Sequence, residues 1–176
     1  MSKLSGTGKT VGVLALQGGV SEHAELLCSL GADVVLVKKA SHLEGLDALV
    51  LPGGESSTID RLTRILGLRD ALIETISGGL PTLGTCAGLI MLSRKITDPA
   101  PGQQSLGLLD VTVDRNAFGS QVASAETVLD WKSLAGQSRP VKAAFIRAPR
   151  VVSAGEGVDV TARYNGEIVG VRQDNL

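Results

Sequence analysis

Four short apolar runs, each ending abruptly in small or turn-forming residues, constrain this chain more than any other feature. Val11–Leu16, Val34–Val37, Ala48–Leu51 and Leu80–Gly84 are continuous rather than alternating, as strands buried on both faces are. Between them the spacing turns helical. In Val20–Leu30 the apolar residues Val20, Ala24, Leu27 and Cys28 recur at helical intervals, and Gly31 follows as a C-cap. Leu62, Ile65, Leu66, Ile73 and Ile76 mark one or two helices between Ser57 and Ser77, and a further helix is predicted over Ala87–Lys95. Strands and helices alternating at this spacing predict an α/β fold: an open, mostly parallel sheet with helices on both faces. After Pro99 the pattern changes to strand-like segments, Leu108–Arg115, Val141–Ile146, Val158–Tyr164 and Glu167–Arg172, with Asn165-Gly166 as a hairpin turn. These extra strands either extend the sheet or form a small β layer beside it. With no repeat, charged tail or linker, a single domain over residues 1–176 is expected, with residues 1–9 disordered.

Charge and composition remove several functional classes. Lys and Arg total 17 against 18 Asp and Glu, a net charge of −1, which leaves no electrostatic footprint for nucleic acid or an anionic membrane. The aromatic residues are Trp131, Tyr164, Phe118 and Phe145, too few for a base-stacking platform. Two cysteines, Cys28 and Cys86, do not make a disulfide framework, so a reduced, cytoplasmic setting is expected. No apolar run approaches the roughly 18 residues of a membrane span, and Met1–Thr10 lacks the apolar stretch of a signal peptide.

The strongest local signal is Gly84-Thr85-Cys86-Ala87-Gly88, between a buried strand and a helix. It has the form of a nucleophile elbow with cysteine as the nucleophile. A sharp strand-to-helix turn holds the nucleophile in strained geometry, and flanking glycines remove Cβ clashes. The helix N-terminus favours thiolate, and the Ala87 N–H is placed to meet an oxyanion. A small buried cysteine in a tight turn has the same short pattern and stays open at this point. Cys28, on the apolar face of its helix, is expected in the core. Pro52-Gly53-Gly54-Glu55-Ser56-Ser57 is a second candidate loop, because paired glycines admit a ligand close to free backbone N–H groups. Alone it reads as an ordinary turn with Ser57 as N-cap. Both loops, however, follow parallel strands at their C-terminal ends, the rim where such sheets bind ligands.

Other candidates fall away. Gly8-Lys9-Thr10 ends like a phosphate-binding loop, yet it has Lys3 where that motif needs glycine, and it precedes the first strand. His23 and His42 have no ligand spacing to a cysteine or acid, so neither a metal nor a cofactor is expected. Arg115 and Arg147 each sit at a strand end, where a solvated side chain is the usual case.

Taken in order, Leu16-Gln17-Gly18, Leu51-Pro52-Gly53-Gly54-Glu55-Ser56, Gly84-Thr85-Cys86-Ala87-Gly88, Arg115-Asn116-Ala117-Phe118-Gly119 and Phe145-Ile146-Arg147-Ala148-Pro149 form a specific set. Together they resemble the glutaminase subunits of pyridoxal 5′-phosphate synthase, in the class I (triad) glutamine amidotransferases, from about Val11 onward. The resemblance implies a flavodoxin-like amidotransferase sheet and hydrolysis of L-glutamine to glutamate and ammonia. The ammonia passes to a separate synthase subunit that builds the vitamin B6 ring. By position, Cys86 is the nucleophile that forms a glutamyl thioester, and Gly54 and Ala87 supply oxyanion N–H groups. Gly54, Glu55, Ser56, Arg115, Ile146 and Arg147 line the glutamine site, where a bidentate guanidinium suits the α-carboxylate.

The sequence departs from the family pattern in two places. The family completes its triad with a histidine and a glutamate in a His-Pro-Glu motif, following a strand that continues Val171-Arg172-Gln173. The sequence stops at Leu176 before it, so either a truncated record or an inactive relative is expected, with little turnover from the 176 residues as written. In Ala123-Ser124-Ala125-Glu126, alanine stands where the family has an aromatic before the glutamate. Two alternatives to the glutaminase are a non-catalytic glutamine-binding or regulatory subunit and a cysteine enzyme of another pathway, such as a glutaminase of histidine biosynthesis. The Arg115 and Arg147 segments argue against the latter.

Overall fold

The structure is a computed structural model that describes residues 5–115, 125–132, 136–145 and 148–176. A four-stranded parallel sheet has the order β2-β1-β3-β4, built from β1 (Thr10–Leu14), β2 (Asp33–Val37), β3 (Ala48–Leu51) and β4 (Thr82–Gly84). The predicted alternation of strands and helices is present. Side chains leave each strand on alternate faces, and this sorts the core into two clusters. Val11, Val13 and Val50 pack beneath α1 (Val20–Ser29) through Val20 and Leu27. Leu14, Leu49 and Leu51 face the other way, against residues of α2 (Ser56–Ile65), α3 (Arg69–Ser77) and α4 (Ala87–Leu92).

The second half forms its own layer. A five-stranded sheet of order β10-β11-β9-β6-β5 contains β5 (Ser93–Ile96), β6 (Leu109–Asp114), β9 (Arg150–Ala154), β10 (Asp159–Tyr164) and β11 (Glu167–Arg172). Its β5–β6 pair is parallel and the rest antiparallel. A separate antiparallel ribbon pairs β7 (Ala125–Lys132) with β8 (Ser138–Phe145). The Asn165-Gly166 turn joins β10 to β11, both residues having positive φ (49° and 84°) as a two-residue hairpin of this twist requires. α4 connects the layers and is buried at Ala87, Gly88, Ile90, Met91 and Leu92. At the far end, the Asn175 side chain donates to the Ile76 and Leu80 carbonyls, and the Asn175 backbone carbonyl accepts from Thr82 N–H at 2.8 Å. The segment after β11 is thereby tied to the edge of the parallel sheet at β4.

Three expectations change. The helix predicted over Ala87–Lys95 ends at Leu92, where Ser93 turns its hydroxyl back to the Ile90 carbonyl and begins β5. Cys28 is exposed, not in the core: it follows Leu27, and one residue turns the helix by about 100°, so Leu27 takes the inward position. Ser5–Lys9, expected to be disordered, form a turn in which Gly6 N–H donates to the Leu30 carbonyl and Lys9 pairs with Asp47 at 2.8 Å. Residues 1–4 lie outside the described residues. Among those described, no helix is long and apolar enough to cross a membrane.

Candidate active site

Thr85 and Cys86 lie between β4 and α4, and Cys86 has φ 50° and ψ −104°. A non-glycine residue in such a conformation costs about 1–3 kcal/mol and persists only where its surroundings over-determine it. Here they do. A Cβ on Gly88 would sit 2.0 Å from the Leu51 carbonyl oxygen, and one on Gly84 would sit 2.7 Å from the Gly88 carbonyl carbon. Only glycine at both positions lets the strand end and the helix start come this close. Thr85 N–H donates to the Leu51 carbonyl at 3.0 Å and its carbonyl accepts from Gly88 N–H at 2.8 Å, clamping the turn on both sides. Gly88 N–H is thereby taken up by the turn, and Ala87, the first residue of α4, follows Cys86 directly.

The second loop lies against the first. A Cβ on Gly53 would meet the Cβ of Cys86 at 3.4 Å. Behind it, Gln17-Gly18-Gly19 is pressed onto the Gly53-Gly54 turn: Gly19 N–H donates to the Gly53 carbonyl, Gln17 Oε1 accepts from Glu55 N–H at 2.7 Å, and a Cβ on Gly18 would lie 1.9 Å from the Gly53 oxygen. Three separated sequence motifs thus form one rim at the C-terminal ends of β1, β3 and β4.

Glu55, Ser56 and Arg115 also converge. The Glu55 carboxylate caps α2 by accepting from Ser57 N–H and Oγ, and it accepts from Arg115 at 3.1 Å. The other arm of the Arg115 guanidinium donates to Gln103 Oε1 at 2.8 Å, while Gln103 Nε2 donates to the buried Ser56 hydroxyl. The Arg115 side chain is only 13% exposed, so it is not the solvated strand-end residue that its position first suggests. Its Nε is buried without a partner among the described residues. Gln103 was not legible as a site residue, since nothing in Pro101-Gly102-Gln103-Gln104 marks it. Its loop is anchored by the fully buried Asp60, which accepts from Gln104 N–H and from both Nε and a terminal nitrogen of Arg64.

Ile146 and Arg147 lie outside the described residues, as do Asn116–Gly119 of the arginine segment. The two histidines are placed apart from one another. His42 Nδ1 bonds the Leu36 carbonyl, whereas His23 Nε2 is 3.0 Å from the hydroxyl of Thr85, directly before Cys86. Burial holds the His23 imidazole below the usual histidine range, opposed in part by the charge of Glu22. Among the described residues, no three His, Cys, Asp or Glu side chains gather to hold a metal ion.

A family model described as the SNO glutamine amidotransferase family matches residues 13–176. The chain belongs to this family. SNO relatives are similar along nearly the whole length. A pyridoxal 5′-phosphate synthase subunit PdxT from Leifsonia xyli subsp. xyli is 54% identical over 167 residues, 94% of this chain and 83% of that protein. The protein of the same name from Pelotomaculum thermopropionicum is 50% identical over 93% of this chain and 81% of its own. A crystal structure of a glutamine amidotransferase superimposes with a TM-score of 0.84 at 47% identity, covering 93% of this chain and 84% of that one. The PurLQS structure from Thermotoga maritima, at 17% identity and a TM-score of 0.69, shares the fold.

Proposed function

We propose that the chain is the glutaminase subunit of a pyridoxal 5′-phosphate synthase, hydrolysing L-glutamine through a Cys86 thioester and passing ammonia to the synthase subunit for vitamin B6 biosynthesis, in a heteromeric complex in the cytoplasm. The observation that carries this reading is the contact of the Cys86 elbow with the Gly53-Gly54 turn. The closeness of the two loops supports Cys86 as the nucleophile and the backbone around it as the oxyanion site. Family membership and the names of the half-identical relatives support the same substrate and pathway.

In this reading the Cys86 thiolate attacks the side-chain amide carbon of glutamine. The C=O electron pair moves onto oxygen, and the N–H groups of Gly54 and Ala87 stabilise the oxyanion. Collapse breaks the C–N bond, the nitrogen takes up a proton and leaves as ammonia, and a glutamyl thioester remains on Cys86. Water then adds to the thioester, a proton is removed, and glutamate departs from the restored thiolate. The resemblance assigns both proton transfers to the histidine of a His-Pro-Glu segment. Glu55, Ser56, Arg115, Ile146 and Arg147 hold the amino-acid end of the substrate, with arginine on the α-carboxylate.

Calorimetry with L-glutamine and sedimentation with a synthase subunit of a PdxT-containing relative test this function. Saturable binding of L-glutamine but not D-glutamine, together with co-sedimentation, is expected. No glutamine binding, or no complex with the synthase subunit, contradicts the proposal.

A further inference from the structure

One polar contact on the elbow is not used by that mechanism. α1 starts at Val20, immediately after Gln17-Gly18-Gly19, the segment seated on the Gly53-Gly54 turn. One turn into the same helix, His23 Nε2 lies 3.0 Å from Thr85 Oγ1. A single short helix therefore bonds the Gly53 loop at its leading end and the residue before Cys86 from its first turn. The backbone of Thr85 is fixed through Leu51 and Gly88, and its hydroxyl adds a side-chain bond from the elbow to α1.

We propose that His23 is a positioning residue for Cys86, acting through the Thr85 hydroxyl to hold the nucleophile in register with the Gly53-Gly54 turn. The proposal rests on the reading of Cys86 as the nucleophile. The chemistry of the pair suits the task. A neutral imidazole has one donor and one acceptor nitrogen, and a threonine hydroxyl complements either tautomer, so the bond needs no charge next to the thiol. Partial burial of the ring favours its neutral form. Sequence spacing conceals this contact, because 62 residues separate the partners.

The test is the rate at which a glutamine-derived chloromethyl ketone alkylates Cys86, with chloride leaving as the sulfur–carbon bond forms. Alkylation of the exposed Cys28 by iodoacetamide reports on the integrity of α1 in the same samples. His23→Ala and Thr85→Val should each lower the maximal rate of Cys86 alkylation at least fivefold, with the half-saturating concentration unchanged. The double variant should be no slower than the worse single one, as expected of partners in one interaction. Thr85→Ser, which keeps the hydroxyl, should react within twofold of the unaltered chain. The valine–serine pair carries the test from the other partner if His23→Ala does not fold. A loss below fivefold in either single variant, losses that multiply in the double variant, or a serine variant as slow as valine overturns the proposal. Failure of the nucleophile reading has a different signature: the unaltered chain then gives no Cys86 adduct.

Discussion

At the scale of single residues, the motifs marked the strand-to-helix turn at Cys86 but not the side chains that touch it. Cys86 was legible because a glycine at each flank has a steric cause, visible in the 2.0 Å and 2.7 Å approaches that a Cβ would make. Gln103 and His23 were not legible, because their contacts with Arg115 and Thr85 cross the fold and leave no local pattern. Cys28 was misplaced because helical periodicity does not resolve neighbours one residue apart at the margin of an apolar stripe. Two predictions belong here. Arg115→Lys keeps the charge but gives up the fork that spans Glu55 and Gln103, so glutamine binding should weaken by about 1.5–3 kcal/mol in calorimetry. The second concerns pH. Because burial lowers the folded-state pKa of His23 below its ordinary value of 6.5, the unfolded chain takes up the proton first on acidification. The contribution of the neutral ring is complete above about pH 6.5 and is lost as the pH falls from there toward the lowered folded value. Glu22, adjacent on α1, favours the charged ring and reduces the effect. Urea titrations between pH 5 and 7.5 should therefore show a stability slope that His23→Gln flattens.

Among the elements, the parallel half followed from the sequence and the second half only partly did. Continuous apolar runs admit one interpretation when they are short and punctuated by Gly or Pro, and β1 to β4 all fall within the predicted runs or a residue or two from them. β7 escaped notice because Glu126-Thr127 and Val128-Leu129 break the alternation of Ala125–Lys132, and Val128 is left 60% exposed. Pro140 concealed the start of β8, where it stands opposite Asp130 in a ribbon with a free edge and so breaks no ladder on its outer side. β9 was missed because only Val151 of Arg150–Ala154 is buried, leaving no run to detect. The strand–helix junction at Cys86 gives the prediction at this scale. Gly88→Ala places its methyl carbon against backbone at Leu51, which cannot move without disturbing β3. It should cost at least the upper part of the roughly 1–3 kcal/mol range for overpacking, read from the midpoint of urea unfolding. An alanine variant as stable as the parent would show that the junction is looser than described.

Across the whole molecule, the site depends on both layers. The parallel strands supply Cys86 and the glycine turns, while Arg115 arrives from the end of β6 in the second layer and is bridged to α2 through Gln103. Asn175 links the layers at their opposite edge. Replacing it with alanine removes two hydrogen bonds, and about 1–3 kcal/mol of stability should be lost, although Gly79 N–H and the Thr82 hydroxyl still donate to the Ile76 and Leu80 carbonyls. The central claim, that the elbow presents a glutamine-directed nucleophile, is tested most directly by peptide mapping after treatment with the glutamine-derived chloromethyl ketone. The account predicts one adduct, on Cys86, suppressed by L-glutamine and absent from Cys86→Ala, with Cys28 unmodified. Equal labelling of Cys28 and Cys86, or labelling of Cys86 that L-glutamine does not slow, would contradict it.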